Sequence, residues 1–428
     1  MLADSQHQPI TPLVYRKIAW RLLPFLFILY LVAYVDRVNV GFAKLQMSSD
    51  LGFSDMVYGF GSGVFFLGYF LFEVPSNVIL HHVGAKVWIS RILVSWGLIS
   101  AGMMWVNSEF MFYAFRFLLG VGEAGFFPGI ILYLTYWFPN ALRAKTTTSF
   151  MTAIALAGII GGPVSGYVME TFDGIMQLRG WQWLFLLEGL PAVLLGVVTY
   201  FWLDDSPEKA DWLSSDEKYF LVQQLAYDCD HPQTNQTHET LKQAFTSRLV
   251  WLLALIYFCL ALGLYGVSFW LPQIIHDLGQ GGLIVTGLLS AVPYCLAILS
   301  MVIVARSSDA HQERRWHIAS SAFIGSVGLV ILVLFRGQAF MSIAALGIAA
   351  SGILSALSTF WTLPTAILSG RAAAGGIALI NSIGNLGGYF GPFLLGWVKQ
   401  TSGNLDAGLY VLAVGLLLAG VLVARVSK

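Results

Sequence analysis

Charge is scarce in this chain. Lysine, arginine, aspartate and glutamate make up 11% of its 428 residues, where soluble domains carry about 25%. The 23 basic and 23 acidic residues cancel, so there is no basic footprint for nucleic acid. Cysteine is rarer still, with Cys229, Cys259 and Cys295 alone. Two lie in apolar runs and one in a polar stretch, which leaves no disulfide framework and no metal-ligand spacing. No histidine cluster or nucleophile–base pair stands out, so neither an enzyme nor a cofactor is expected. The first residues, MLADSQHQPITPLVYRK, lack the short apolar core and small-residue cleavage site of a signal peptide.

Apolar residues are what the chain has in abundance, at 57%. Soluble domains hold about 45–50%, so the chain reads as a polytopic membrane protein. A spanning helix needs about 20 mainly apolar residues. Twelve runs qualify, at roughly 20–42, 57–80, 87–107, 110–138, 146–170, 181–203, 249–276, 283–305, 316–335, 339–361, 371–398 and 406–425. They are too long for barrel strands and lack period-two alternation. The polar segment 204–248 divides them into six and six. Expected, then, is an all-α membrane protein of two six-helix bundles, 1–203 and 249–428, joined by a loop at 204–248. Within that loop, 214–227 reads as an amphipathic helix lying against the membrane surface.

Lysine and arginine placement sets orientation. Seventeen of the 23 fall on the side that holds both termini and the central loop, including Lys86, Arg143, Lys145, Lys242, Arg371 and Lys428. Only Lys44, Arg179, Arg336 and Lys399 fall on the other side. Both termini are therefore expected to be cytoplasmic. The halves also echo each other: GGPVSG (161–166) in the fifth run answers GGYFGPFLLG (387–396) in the eleventh. Paired six-helix halves are the design of an alternating-access transporter with its site near the midplane.

Four ionisable residues lie deep in apolar helices: Asp36 and Arg37 in the first run, Arg116 and Glu123 in the fourth. Each costs about 2.5–3.5 kcal/mol at a helix centre on insertion scales. Arg116 and Glu123 are seven residues apart, on one face but about 10 Å apart along the axis. Asp36 and Arg37 are neighbours about 100° apart around the helix and do not face each other. Both pairs must look outward, to each other across the bundle, to water or to a ligand. One reading is a buried ion-pair network that only holds helices together, although such pairs often fail to stabilise. The other is functional. Two guanidiniums can grip a carboxylate, and buried carboxylates can take up protons. Together they describe a device that binds an organic anion and couples it to protons. Glu73 and Glu188 sit nearer helix ends, with no role assigned.

Further cavity candidates are Tyr34, Tyr69, Trp361, Asn381 and Asn385. An aromatic side chain in a membrane helix is more often packing, whereas a buried amide needs a partner. The stretch GVGEAG (120–125) fits the dinucleotide fingerprint but lies inside an apolar helix without the required strand. Its glycines are expected to allow close helix packing. The sequon Asn235-Gln236-Thr237 falls in the expected cytoplasmic loop, out of reach of glycosylation.

Together, YVDRVNVGFA (34–43), GYFLFEVPSN (68–77), RFLLGVGEAGFFPG (116–129), GWQWLFLLEGLPA (180–192) and DDSPEKADWLSSDEK (204–218) resemble the major facilitator superfamily. The likeness is nearest to its anion:cation symporter branch, which includes sugar-acid, tartrate, phthalate and hydroxyphenylacetate permeases. It covers nearly the whole chain. It implies that Asp36 and Glu123 carry protons and that Arg37 and Arg116 anchor the substrate carboxylate. Tyr34, Tyr69, Trp361 and Asn381 align with cavity positions. The loop between the second and third helices departs from the superfamily's G-x-x-x-D-R-x-G-R: here it is HHVGAKVWISR, with no aspartate. The second-half copy keeps Asp309, Arg314 and Arg315, so a charged gate is expected there.

The resemblance implies a monomeric inner-membrane symporter for a small organic anion, such as a sugar acid, a hydroxy-dicarboxylate or an aromatic carboxylate. Its partners would be substrate, protons and the lipid bilayer, with no nucleic acid. Exchange of anions and sodium coupling on the same scaffold are the alternatives.

Overall fold

The computed structural model describes residues 10–230, 246–367 and 370–426. The Asn235 sequon, Lys242 and Lys428 lie outside the described residues, as do the side chains of Arg143, Lys145, Arg371 and Cys229. The described chain is helical throughout. Its helices are α1 (Ile10–Val38), α2 (Val40–Leu51), α3 (Asp55–Val83), α4 (Ala85–Gly102), α5 (Glu109–Glu123), α6 (Phe126–Thr135), α7 (Asn140–Thr171) and α8 (Gly180–Trp202). After a polar connection come α9 (Ser215–Asp230), α10 (Arg248–His276), α11 (Leu283–His311), α12 (Arg315–Leu334), α13 (Ala339–Phe360), α14 (Thr362–Ile367), α15 (Gly370–Ser402) and α16 (Asp406–Ala424). Among the described residues, 11 segments are long and apolar enough to cross a membrane. The twelfth expected run is α15, 33 residues long, whose glycines and asparagines dilute its apolar character. The expected twelve spans in two six-helix halves are the architecture observed.

Three spans are broken where continuous helices were expected. The first turns at Asn39, between α1 and α2. The fourth breaks at Ala124–Gly125, where Gly125 takes φ +84°, a left-handed conformation that glycine adopts without steric cost. Pro128 then falls in the first turn of α6, where a missing N–H is tolerated. The tenth breaks at Trp361, between α13 and α14. Interrupted spans are tolerated only where protein or a cavity meets the freed backbone.

The halves meet along α3 with α15, α7 with α11, and α2 with α10. Glycines let these backbones approach. A Cβ on Gly59 of α3 would lie 2.7 Å from the Pro392 carbonyl oxygen, and one on Gly162 of α7 would lie 2.8 Å from that of Gly287. Gly162 and Gly396 belong to the two echoing motifs, so both copies serve the seam between halves. Within the N-terminal half, α5 crosses α3 at Gly120 of the GVGEAG stretch. A Cβ there would fall 1.9 Å from the Phe65 carbonyl oxygen.

The central segment is fastened to the N-terminal half. Lys86 N–H, at the start of α4, donates to Asp205 Oδ1 at 3.0 Å, placing a carboxylate at a helix N-terminus. Tyr133 donates to the Asp204 carbonyl at 2.9 Å, and Trp212 stacks on Trp137 with centroids 5.7 Å apart. The helix expected to lie on the membrane surface is α9. It packs on the end of α1, through Tyr15–Phe220 and the Lys17–Glu217 ion pair at 2.8 Å. The end of the molecule holding α9 and Val426 is called the terminal end below, and the other the far end.

Gly120→Val is expected to cost about 3 kcal/mol or to block folding, because the clash is with backbone rather than a movable side chain. Gly415→Ala meets only a Leu262 methyl, at 3.1 Å, and should be nearly neutral. Thermal unfolding of the two variants in detergent checks the contrast.

Candidate functional site

Asp36 and Arg37 leave α1 in different directions, as their angular separation requires. Arg37 points between the halves. Its Nη2 forms an ion pair with Glu123 of α5, and its Nη1 donates to the Tyr265 hydroxyl of α10 at 2.9 Å. The guanidinium carbon lies 5.4 Å from the Phe65 ring centre and 5.6 Å from that of Tyr69. Arg37 is 6% exposed and Glu123 fully buried. One cation therefore joins α1 to α5 inside the N-terminal half and to α10 in the other half.

Asp36 turns the opposite way, into the N-terminal half. It accepts from the Ser100 hydroxyl and the Trp96 indole N–H of α4, and from the Asn39 amide at 3.2 Å. It has no ion-pair partner among the described residues. Arg116 is also held within the half. It donates to the Gly61 and Ser62 carbonyl oxygens of α3, each at 3.3 Å, and lies over the rings of Phe65 and Phe269. Its Nη1 has no hydrogen-bond partner. Of the two arginines, Arg37 is the one that reaches the cleft.

A narrow cleft lies beside this centre. Its polar lining is Tyr30, Arg37, Tyr69, Tyr257, Tyr265, Asn381 and Asn385, with Phe127, Ile154, Ala261, Leu264 and Leu357 between them. Arg37, Tyr69, Asn381 and Asn385 were sequence candidates. Tyr30, Tyr257 and Tyr265 were not. Tyr30 was findable, since it sits seven residues before Arg37 and so shares its face. Tyr257 and Tyr265 were hidden among the many aromatics of α10. Tyr34 is buried toward the C-terminal half, beside Tyr265, Ser268 and Tyr294. Trp361 occupies the helix break and meets Tyr257 edge-on at 4.9 Å. It does not line the cleft itself. Glu73, whose role was open, bridges the halves: it accepts from the Asn381 amide and, at 3.0 Å, from the Ser382 hydroxyl.

At the far end the seam is shut. Tyr58 donates to the Phe269 carbonyl at 2.7 Å. Lys44 pairs with Asp55 at 2.8 Å and donates to Gln273 at 2.9 Å. Lys399 lies 3.8 Å from both Asp55 and Asp277. At the terminal end, Asp309 pairs with Arg314 at 2.6 Å, and Arg315 donates to the Val426 carbonyl at 2.9 Å. These last contacts stay within the C-terminal half.

The cleft thus offers a fork of guanidinium donors, four phenols and two amides, a set suited to an oxygen-rich anion. Among the described residues, no group of three or more His, Cys, Asp or Glu is placed to hold a metal.

A sequence-family description, Major Facilitator Superfamily, matches residues 26–392. The chain is 48% identical over 413 residues to a protein of Agrobacterium vitis named "Putative tartrate transporter", covering 96% of this chain and 94% of that one. It is 45% identical over 424 residues to the Pseudomonas putida protein named "Putative metabolite transport protein NicT", covering 98% and 97%. It is 44% identical over 422 residues to a "Quinolone resistance transporter" of Acinetobacter baumannii, covering 97% and 96%. In fold it superposes on a D-xylose–proton symporter with a TM-score of 0.76 at 14% identity, over 96% of this chain and 98% of that one. The protein is a multi-pass membrane transporter and not an enzyme.

Tyr265→Phe removes the hydroxyl that Arg37 reaches across the seam. Losing a hydrogen bond to a charged group is worth about 1.5 kcal/mol. The half-saturation concentration for cargo should rise roughly tenfold. Uptake kinetics in vesicles measure it, and an unchanged value would remove Tyr265 from the binding set.

Proposed function

This chain belongs to the major facilitator superfamily, and we propose that within it the protein is a proton-coupled symporter importing a small organic anion across a bacterial-type inner membrane. Both termini and the central segment 204–248 lie in the cytoplasm, and the halves 1–203 and 249–428 are the bodies that rock. The protein acts as a monomer. The observation that carries this reading is the Arg37–Glu123 ion pair at the cleft. A carboxylate cargo and Glu123 compete for the same guanidinium.

The coupling follows from charge. In the membrane interior an unpaired arginine is costly, and so is an unpaired glutamate. When Glu123 takes a proton, Arg37 loses its anionic partner and accepts the carboxylate of the cargo. The loaded centre is then again neutral, and the halves can move. Release of cargo and proton on the other side restores the Arg37–Glu123 pair. Asp36, behind α1, is a second acid that takes up and returns a proton during the cycle, and between transfers its three donors hold it as an anion. Arg116, with Nη1 unpartnered and its other nitrogens donating to two backbone carbonyls, positions α5 and through it Glu123. Asp309, Arg314 and Arg315 stiffen the terminal-end turn of the second half and act there as its gate.

The tyrosines, Asn381 and Asn385 favour a cargo with hydroxyl groups near its carboxylate, such as a hydroxy-dicarboxylate or sugar acid, over an aromatic acid. The name carried by the Agrobacterium relative supports the same class.

Glu123→Gln should abolish acid-driven accumulation in proteoliposomes while counterflow of labelled cargo survives. Full accumulation by the variant would sink the coupling role. Arg37→Lys keeps the charge but loses the fork, and cargo affinity should fall at least tenfold. Internal acidification on adding tartrate, absent in protein-free vesicles, separates symport from anion exchange or sodium coupling.

A further inference from the structure

The buried interior holds more acid than base. Arg37, Arg116 and, at the far end beside Asp55, Lys44 stand against Asp36, Glu73, Glu123 and Glu188, all seven exposed by 6% or less. Arg37 is paired with Glu123, and the foremost acidic neighbour of Arg116 is Asp36. Glu73 has Arg37 nearby and two donors from α15. Glu188 of α8 has no cation at all among the described residues around it.

Its surroundings can be followed element by element. From α7, the Ser165 hydroxyl donates to Glu188 Oε1 at 2.7 Å. From α1 and its break come Asp36, another acid, and the Asn39 amide. The facing part of α4 is glycine and aliphatic, at Gly97 and Ala101 against Gly189. On α2, Lys44 is turned away to Asp55 and Gln273. Lys86 and Arg21 meet α8 only at Tyr200 and Trp202, more than three turns from Glu188.

Two orphans remain in this pocket. Glu188 Oε2 and Asn39 Oδ1 are both buried and without a hydrogen-bond partner, and both are acceptors. The same Asn39 already donates to Asp36, which holds three donors and is well served as an anion. A hydrogen on Glu188 removes an uncompensated charge from the membrane interior and offers a donor to the unpartnered Asn39 Oδ1.

The geometry points to Glu188 as a proton-holding site inside the N-terminal half, separate from the cleft and joined through Asn39 to Asp36. Asn39 is the residue at which the first span breaks, two positions after Arg37. A proton on Glu188 thus steadies the break that aims Arg37 into the cleft. Its loss places two anions around one amide and loosens that aim. The proposal deepens the proton-coupled reading and rests on it for its consequence in transport, whereas the proton itself is independent of any transport assay.

The test is infrared spectroscopy of the purified full-length protein in liposomes at neutral pH. The parent should show the C=O stretch of a protonated carboxylic acid, and Glu188→Gln should lack that component. Ser165→Ala, which keeps the acid but removes its donor, should shift the band. A spectrum of Glu188→Gln that superimposes on the parent's, or a band unmoved in Ser165→Ala, overturns the assignment. Thermal stability against pH gives the second readout. A group that keeps its proton in the fold, where the unfolded chain would release it, contributes stability at low pH that is lost as pH rises. The parent should therefore lose melting temperature as pH rises from the ordinary glutamate range through neutrality, and Glu188→Gln should lose less. Equal losses in both over that range would also overturn it. If the band is present but cargo brings no proton with it, the symport reading fails and the proton site stands.

Discussion

A guanidinium in the middle of a membrane protein needs acceptors around it, and an anion is the strongest of them. Arg37 meets that requirement with Glu123, and much of the architecture around it can be read as a consequence. The rings of Phe65 and Tyr69 flank the cation. Tyr265 ties it to the opposite half. Asp36, its neighbour in sequence, is directed away and satisfied by neutral donors. It therefore does not compete for the same charge. Low dielectric makes each such partnership strong and each vacancy expensive, so partners can be exchanged but not simply lost.

The three broken spans fall at this centre. Asn39 follows Arg37 by two residues, Ala124 follows Glu123, and Trp361 packs on Tyr257 of the cleft lining. A continuous helix passes its bending to the whole span, whereas a broken one can turn locally about the break. The residues that grip charge are thus placed where the backbone is already interrupted. The glycine seams of α3 with α15 and α7 with α11 provide the complementary property, close rigid contact between long helices.

Much of this was legible in the sequence. Scarcity of charge made Asp36, Arg37, Arg116 and Glu123 conspicuous, and the 100° step between 36 and 37 already required that they part. The spacing of Arg116 and Glu123 excluded a bond between them, but not where Arg116 would go. Its carbonyl partners on α3 belong to backbone, which no side-chain pattern announces. The break at Gly125 was concealed because glycine reads equally as close packing, and in this stretch both readings hold: Gly120 packs and Gly125 turns. Tyr257 and Tyr265 were lost in an aromatic-rich helix, and the Glu73–Asn381 bridge depends on a pairing of α3 with α15 across about 300 residues of chain. Rare residue types disclose themselves, whereas common ones are given meaning only by tertiary position.

The far-end seam has an electrical property of its own. Lys44 and Asp55 both belong to the N-terminal half, and Lys399 and Asp277 both belong to the other. When that end parts, the 3.8 Å approach of Lys399 to Asp55 and the Lys44–Gln273 and Tyr58–Phe269 hydrogen bonds are broken, none of which leaves a charge without its partner in the same half. Each half then keeps a neutral pair. Opening the seam shifts no net charge through the membrane field, so the membrane potential does no work on this step. On the proposed cycle, voltage sensitivity enters instead at the Arg37 centre, where cargo and proton would bind.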